Sequence, residues 1–294
     1  IKGWAAYPAG VAWALNQAGH LAGGADVAID ADLPAGAGLS SSAALECSVA
    51  LALTELHGHS VPRRDLAALA RRAENDFVGV PSGIMDQVAA LRCRAGHAAL
   101  LDCHTGAVAP VPLDPAAAGL TLLVIDTATR RALTDGRYAE RRRACEQAAS
   151  ALGVRSLRGI NGDEDLTRLT DPDLRRVARH VLSDRRRALQ AVDLLESGDQ
   201  AAIGPLLSAS HRSLRDDYRF SWPQADEAVE AAIEAGAAGA RMTGGGFAGC
   251  VIALVPADRA GQVRAAVTER FKSSGWSPPR YLDAIPSDAA RRMR

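Results

Sequence analysis

The sequence has little of several features that mark common classes of protein. Its 294 residues carry 34 basic and 34 acidic side chains, so no excess of one sign points to nucleic acid or to a membrane surface. The five cysteines are odd in number and show no metal-ligand spacing, which favours reduced thiols over disulfides or a zinc site. No apolar run is long enough to cross a bilayer, and no signal peptide is visible. These absences predict a cytoplasmic protein whose partners are small molecules.

What the sequence does contain is a glycine- and serine-rich segment at residues 34–44, Pro-Ala-Gly-Ala-Gly-Leu-Ser-Ser-Ser-Ala-Ala. The run Ser41–Leu56 predicts a helix that stops at Gly58, and apolar alternation over residues 27–33 predicts a half-buried strand before the loop. A glycine loop that opens onto a helix N-terminus binds anions, and phosphate is the anion we expect. An ordinary serine-capped turn is the alternative, but one serine suffices for a cap. The loop lacks the lysine of a Walker A motif and the third glycine of a dinucleotide fingerprint.

Two acidic residues that follow the loop are candidates for chemistry. Glu74 falls at the edge of the apolar stripe of a second helix, where a carboxylate is either a charge at the rim of the core or a ligand; the spacing alone does not decide. Asp86 lies near the start of a short helix over residues 84–91. An aspartate there is either a partner of the helix dipole or a catalytic base.

The second half of the chain predicts another domain of mixed helices and strands. The apolar strand Leu120–Asp126 begins it, so we expect domains at residues 1–118 and 119–294. Helices are predicted over residues 138–152, 173–197 and 223–235, and the chain closes with a strand–helix–strand pattern. These elements predict an α+β fold. A second glycine loop, residues 243–249, is either a long turn or a close approach to substrate.

Four ordered segments together resemble a known family: the loop at 34–44 and residues 72–87, 135–142 and 240–250. The first resembles the phosphate loop of the GHMP small-molecule kinases, which include galactokinases, homoserine kinases and mevalonate kinases. The other three, among them Val-Gly-Val-Pro-Ser-Gly-Ile-Met-Asp-Gln at 78–87, resemble galactokinases in particular. The resemblance implies a two-domain fold with a ribosomal-protein-S5-like N-terminal domain and a ferredoxin-like C-terminal domain, with the active site in the cleft between them.

The resemblance also implies an activity, the ATP-dependent phosphorylation of D-galactose at its anomeric hydroxyl, and a role for each matching residue. Asp86 would be the catalytic base, and Ser42 and Glu74 would hold Mg²⁺. Gly83, Tyr138, Gly245 and Gly246 would contact substrate. The residues implied to bind ATP are Pro34, Gly36, Gly38, Leu39, Ser40, Ser41, Ser42 and Ala43. We expect a monomer that needs no partner beyond galactose and MgATP.

The sequence departs from the family pattern in two places. The sugar-gripping segment Gly-Glu-His-Thr-Asp-Tyr, with the arginine ahead of it, does not occur in these 294 residues, and Ala248 stands where the family usually has glycine. The chain begins with Ile1 inside a helical pattern, so we expect a truncated first domain that binds ATP but turns galactose over slowly. A strained Ala248 is expected if the loop requires positive φ there. A kinase for another sugar and a catalytically impaired ATP-binding fragment or sensor remain the alternatives.

Overall fold

Helices and strands follow one another along the chain, as the sequence predicts, and the strands pair antiparallel. The computed structural model describes residues 1–20, 23–33, 36, 38–129 and 136–293. They divide into two compact units, the first comprising residues 1–113 with 286–294 and the second residues 114–285. Among the described residues, no helix is both long and apolar enough to cross a bilayer.

The first unit is a helical layer with one small antiparallel sheet. Apolar faces of its helices pack around Leu15, Leu53, Leu66 and Leu91. The chain order is α1 Ala6–Gln17, α2 Ser41–Leu56, α3 Arg63–Arg72, a π-helical turn Ala73–Val78, α4 Met85–Arg92, β1 His97–Asp102 and β2 Ala107–Pro112. Helix α2 has the predicted bounds, and Gly58 follows it with a φ of +73° that favours glycine.

The strand predicted over residues 27–33 does not form. This segment has no regular secondary structure, and Val27 and Ile29 are exposed at 48% and 41%. Alternation determines which side chains share a face, but a strand also needs a neighbouring strand to bond its backbone. In the part of the chain that the structure describes, no strand pairs with this segment.

The second unit is built on a four-stranded antiparallel sheet of order β4-β5-β3-β6. The path is strand, helices, two strands, helix, strand, which confirms the ferredoxin-like expectation. Its core lies between the sheet and the helices and includes Leu123, Val251 and Phe271. The elements are β3 Leu120–Asp126, α5 Arg137–Leu152, α6 Asp163–Thr167, α7 Pro172–Glu196, α8 Gly204–Asp216, α9 Pro223–Glu234, β4 Gly239–Met242, β5 Cys250–Pro256, α10 Ala260–Ser273 and β6 Arg280–Ala284.

The last residues of the chain belong to the first unit and not to the second. The backbone N–H of Ala290 donates to the Ala90 carbonyl at 2.8 Å, and Arg63 donates to the Ala290 carbonyl at 2.6 Å. The sequence predicts one domain over residues 119–294, because local patterns indicate only where one continuous segment ends and the next begins. A terminal segment that returns to an earlier domain leaves no mark in local composition.

Candidate active site

The glycine loop before α2 has the backbone of an anion site. Gly36 and Gly38 are left-handed, with φ of +71° and +75°, and Ser40 is left-handed as well, with φ of +56°. No side chain of the described residues caps α2, whose first turn begins at Ser41. Its first N–H groups and the positive end of its dipole are therefore available to a ligand. Pro34 lies outside the described residues, as do Ala35 and Ala37.

Other predicted nucleotide contacts lie in or beside this first turn. Leu39, Ser40, Ser41 and Ser42 are half-buried, whereas Ala43 is buried against the core. The carbonyl of Ser40 accepts from the Ala44 N–H at 3.0 Å, which ties the loop to the helix. The side chains of residues 40–42 are thus partly open to solvent, whereas Ala43 belongs to the buried core.

Glu74, predicted to be either a rim charge or a ligand, is buried beside the loop. It lies in the π-helical turn after α3, a deformation that is frequent at functional sites. Ser42 Oγ donates to Glu74 Oε1 at 2.9 Å. On the other side of the carboxylate, Oε2 accepts from Ser82 Oγ at 2.6 Å and from Gln87 Nε2 at 2.9 Å. The structure therefore brings Ser42 and Glu74 together.

Asp86 is in the first turn of α4 and joins the same cluster. Burial is the main cause that raises the pKa of its carboxyl, and the charge of Glu74 raises it further. A hydrogen bond with the Ser40 side chain acts in the opposite direction and lowers this pKa. Asp86 is thus linked through Ser40 to the glycine loop, and its raised pKa suits a general base better than an ordinary aspartate's. Gly83, three residues earlier, is exposed, and an added Cβ there would contact no described atom within 4 Å.

Sequence reasoning missed two buried polar residues behind Glu74. Glu46 of α2 and Gln87 of α4 are both fully buried, and Gln87 Nε2 lies 3.3 Å from Glu46 Oε2. Burial, with a further contribution from Glu74, raises the pKa of Glu46 to about 8, against the opposing hydrogen bond from Gln87. A signal for Glu46 was available, because it falls among the buried positions Ala43, Cys47 and Ala50 of α2, where a carboxylate is rare.

The second glycine loop lies between β4 and β5 in the second unit. Gly246 is left-handed, and a Cβ added to it would overlap the ring of Phe220. The left-handed residue with a side chain is Phe247, at φ +62°, and not Ala248, so the expected strain at Ala248 is absent. Phe247 N–H donates to the Phe220 carbonyl at 3.0 Å, which fixes the loop against the residues before α9.

Tyr138 lies beside this loop, at the start of α5. Its ring centroid is 6.2 Å from that of Phe220, and the Arg137 guanidinium lies 4.4 Å from the centroid of the Phe247 ring. Phe220 thus contacts Tyr138 on one side and the backbone of Gly246 on the other. The structure brings together the predicted substrate contacts Tyr138, Gly245 and Gly246 within the second unit.

Comparisons with known proteins show which proteins this chain resembles. Residues 6–94 match the GHMP kinases N terminal domain, and residues 191–273 match the GHMP kinases C terminal domain. The chain is 48% identical to a galactokinase of Streptomyces coelicolor, over 99% of this chain and 76% of that protein. It is 45% identical to a galactokinase of Mycobacterium tuberculosis, over 100% of this chain and 82% of that protein. It superposes on the crystal structure of Lactococcus lactis galactokinase complexed with galactose with a TM-score of 0.90 at 32% identity, covering 100% of this chain and 78% of the other.

Proposed function

Because this chain belongs to the galactokinase family of GHMP kinases, we infer that it transfers the γ-phosphoryl group of ATP to galactose. The products are galactose 1-phosphate and ADP. The observation that carries the proposal is the convergence of Ser42, Glu74 and Asp86 on a glycine loop at a helix N-terminus. Phosphoryl transfer needs held phosphates, a divalent cation and an oriented hydroxyl, and these residue types supply each of them.

The phosphates of ATP would bind at the N-terminus of α2. The left-handed glycines Gly36 and Gly38 allow the backbone to approach the nucleotide, and the N–H groups of residues 41–43 would donate to phosphate oxygens. Ser40 occupies the same turn and contacts Asp86. The loop would thereby position the γ-phosphate near the base.

The donor set of Ser42 and Glu74 fits Mg²⁺. Both supply oxygen, which this hard cation prefers, and the two side chains lie within 2.9 Å of each other. Glu74 is buried, and a carboxylate in such a place is stabilised by donors or by a cation. Magnesium, when bound there, would neutralise phosphate charge. The described residues hold no cluster of three or more histidine, cysteine, aspartate or glutamate side chains arranged for a metal, so ATP and water would complete the coordination of the ion.

Asp86 would act on the sugar. Its carboxylate accepts the proton of the anomeric hydroxyl, and the sugar oxygen then forms a bond to the γ-phosphorus while the bond to the bridging oxygen of ADP breaks. The raised pKa of Asp86 brings its basicity closer to neutral pH. Gly83, Tyr138, Gly245 and Gly246 are the proposed contacts to substrate. The solved Lactococcus lactis galactokinase is a complex with galactose, which supports galactose as the acceptor.

The product distribution tests this proposal. The protein is incubated with MgATP and, in separate reactions, galactose, arabinose, N-acetylgalactosamine or no sugar, and phosphorus NMR identifies the products. We expect galactose 1-phosphate, with little product from the other sugars. Phosphorylation of another sugar in preference to galactose would assign the chain a different acceptor. ATP binding without sugar-dependent ADP release would favour the ATP-binding alternative.

A further inference from the structure

The two oxygens of the Glu74 carboxylate have different partners. Among the described residues, Oε1 accepts from Ser42 alone, whereas Oε2 accepts from both Ser82 and Gln87. A carboxylate held by two donors on one oxygen cannot rotate without breaking both bonds. Glu74 Oε1 therefore keeps a fixed direction, toward Ser42 in the first turn of α2.

Of the two residues that donate to Glu74 Oε2, Gln87 also donates to a second buried carboxyl group, that of Glu46. Its amide nitrogen lies 2.9 Å from Glu74 Oε2 and 3.3 Å from Glu46 Oε2, so its two N–H groups bridge the carboxyl groups of α2 and of the π-helical turn. The opposite orientation of the amide would direct Gln87 Oε1 at the Glu74 carboxylate, and two acceptors at that distance repel each other. Gln87 Oε1 and Glu46 Oε1 are buried and have no hydrogen-bond partner among the described residues. A buried polar atom without a partner calls for an explanation, and a functional role of the bridge is one.

We propose that Gln87 and Glu46 form a positioning pair that orients Glu74 so that its Oε1 and Ser42 Oγ face one magnesium ion. The inference rests on the proposed function, because that function places the ion at Ser42 and Glu74. Gln87 directly follows Asp86 in the first turn of α4, so the same turn supplies the base and the residue that orients the metal ligand. Neither Gln87 nor Glu46 touches the substrates; both act through Glu74.

A purely structural role for the bridge makes a different prediction. If Gln87 only fills the core, its replacement lowers stability without changing how the protein responds to magnesium. If Gln87 orients Glu74, its replacement raises the magnesium concentration required for tight ATP binding. Partners of metal ligands typically contribute about tenfold to a hundredfold in metal affinity.

The experiment is a magnesium titration of ATP binding by calorimetry, with thermal unfolding recorded for each variant. Gln87→Met keeps the length of the side chain and removes both N–H donors. We expect it to raise the magnesium midpoint about tenfold to a hundredfold, with ATP affinity in the absence of magnesium unchanged. Leu91→Ala is the matched control, because Leu91 is buried on the same helix and in the same core cluster but outside the bridge. It should lower the melting temperature and leave the midpoint unchanged.

Further variants separate failure of this inference from failure of the metal site. Glu74→Gln should shift the magnesium midpoint at least as far as Gln87→Met. If Glu74→Gln has no effect, Glu74 does not bind the ion and the proposed metal site is wrong. If Glu74→Gln shifts the midpoint and Gln87→Met does not, the positioning role is overturned. Should Gln87→Met fail to fold, Gln87→Asn keeps an amide one methylene too short for the bridge and carries the same prediction. Glu46→Leu should act in the same direction, and its effect should not add to that of Gln87→Met.

Discussion

Ser42 donates a hydrogen bond to Glu74 at 2.9 Å, although 32 residues separate them in sequence. One residue lies in the first turn of α2 and the other in a π-helical turn, so two helices that begin far apart along the chain deliver one hydroxyl and one carboxylate to the same place. The contact joins the helix that follows the proposed phosphate-binding loop to the proposed metal ligand.

Replacement of Ser42 tests this contact. Ser42→Ala removes one oxygen ligand, so we expect magnesium-dependent ATP binding to weaken by roughly tenfold, or about 1.4 kcal/mol. Binding measured without magnesium should change little. Ser48→Ala is the control, because Ser48 is exposed on the same helix and its hydroxyl donates, among the described residues, only to backbone carbonyls of its own turn. Equal affinities of both variants with and without magnesium would remove Ser42 from the metal site.

The pH dependence of activity tests the link between Ser40 and Asp86. The Ser40 hydrogen bond lowers the pKa of Asp86, so Ser40→Gly should raise that pKa further, while glycine retains the left-handed backbone. A base acts when deprotonated, and activity is lost as pH falls through its pKa. The acid limb of kcat/KM should therefore move to higher pH. Ser40→Asn, which tolerates the left-handed backbone and restores a donor, should move it back; an unmoved limb in Ser40→Gly would contradict the link.

Glu46 should make folding stability depend on pH. Its pKa rises from 4.5 to about 8 in the folded protein, so the folded state holds a proton that the unfolded state releases. Stability should then decline as pH rises from 4.5 toward 8, with a slope of at most about 1.4 kcal/mol per pH unit. Glu46→Gln should remove this part of the decline in urea unfolding. Glu55→Gln, on the exposed side of the same helix, controls for the loss of one negative charge. If the curves of unfolding free energy against pH are parallel for wild type and Glu46→Gln, folding does not raise the pKa of Glu46.

Gly246 is needed for two reasons that can be separated. Gly246→Ala places a Cβ in a left-handed residue and also against Phe220. Gly153→Ala shares the left-handed backbone, but its Cβ would meet nothing within 4 Å. We expect Gly153→Ala to cost about 1–2 kcal/mol of unfolding free energy and Gly246→Ala roughly 1–3 kcal/mol more, from the overlap. Equal costs by chemical denaturation would mean that the loop relaxes away from Phe220.

Local sequence signals predict much of the secondary structure. Helix α2 has the predicted ends because serines precede its apolar run and Gly58 follows it; such signals act within a few residues. The strand over residues 27–33 was predicted from alternation, which is local, but its existence depends on a pairing partner, which is not. The return of residues 286–294 to the first unit was not predicted for the same reason: its backbone hydrogen bonds join residues far apart in sequence.

In the candidate site, the residues to which the motifs assign a role were predicted, and the residues behind them were not. Ser42, Glu74 and Asp86 follow from motifs whose spacing resembles a family, and the structure brings them together. Gln87 ends the motif at 78–87 and Glu46 falls on the buried face of α2, but neither pattern assigns them a role. Only the structure shows that one amide bridges two carboxyl groups. The left-handed residue with a side chain in the second loop is Phe247, whereas Ala248 does not meet the condition under which strain is expected there; sequence does not specify which of two neighbouring residues adopts a positive φ.

Replacement of Asp86 by asparagine tests the central claim most directly. Asp86→Asn keeps the shape of the side chain and removes the base, and a positioned base contributes roughly a hundred- to ten-thousand-fold in rate. The measurement is galactose-dependent ADP release in a coupled assay, with ATP affinity determined by calorimetry on the same preparations. The account predicts a fall in galactose-dependent turnover of that order with ATP affinity little changed. A variant that retains most of its turnover would show that Asp86 is a partner of the α4 dipole and not the base that activates the sugar.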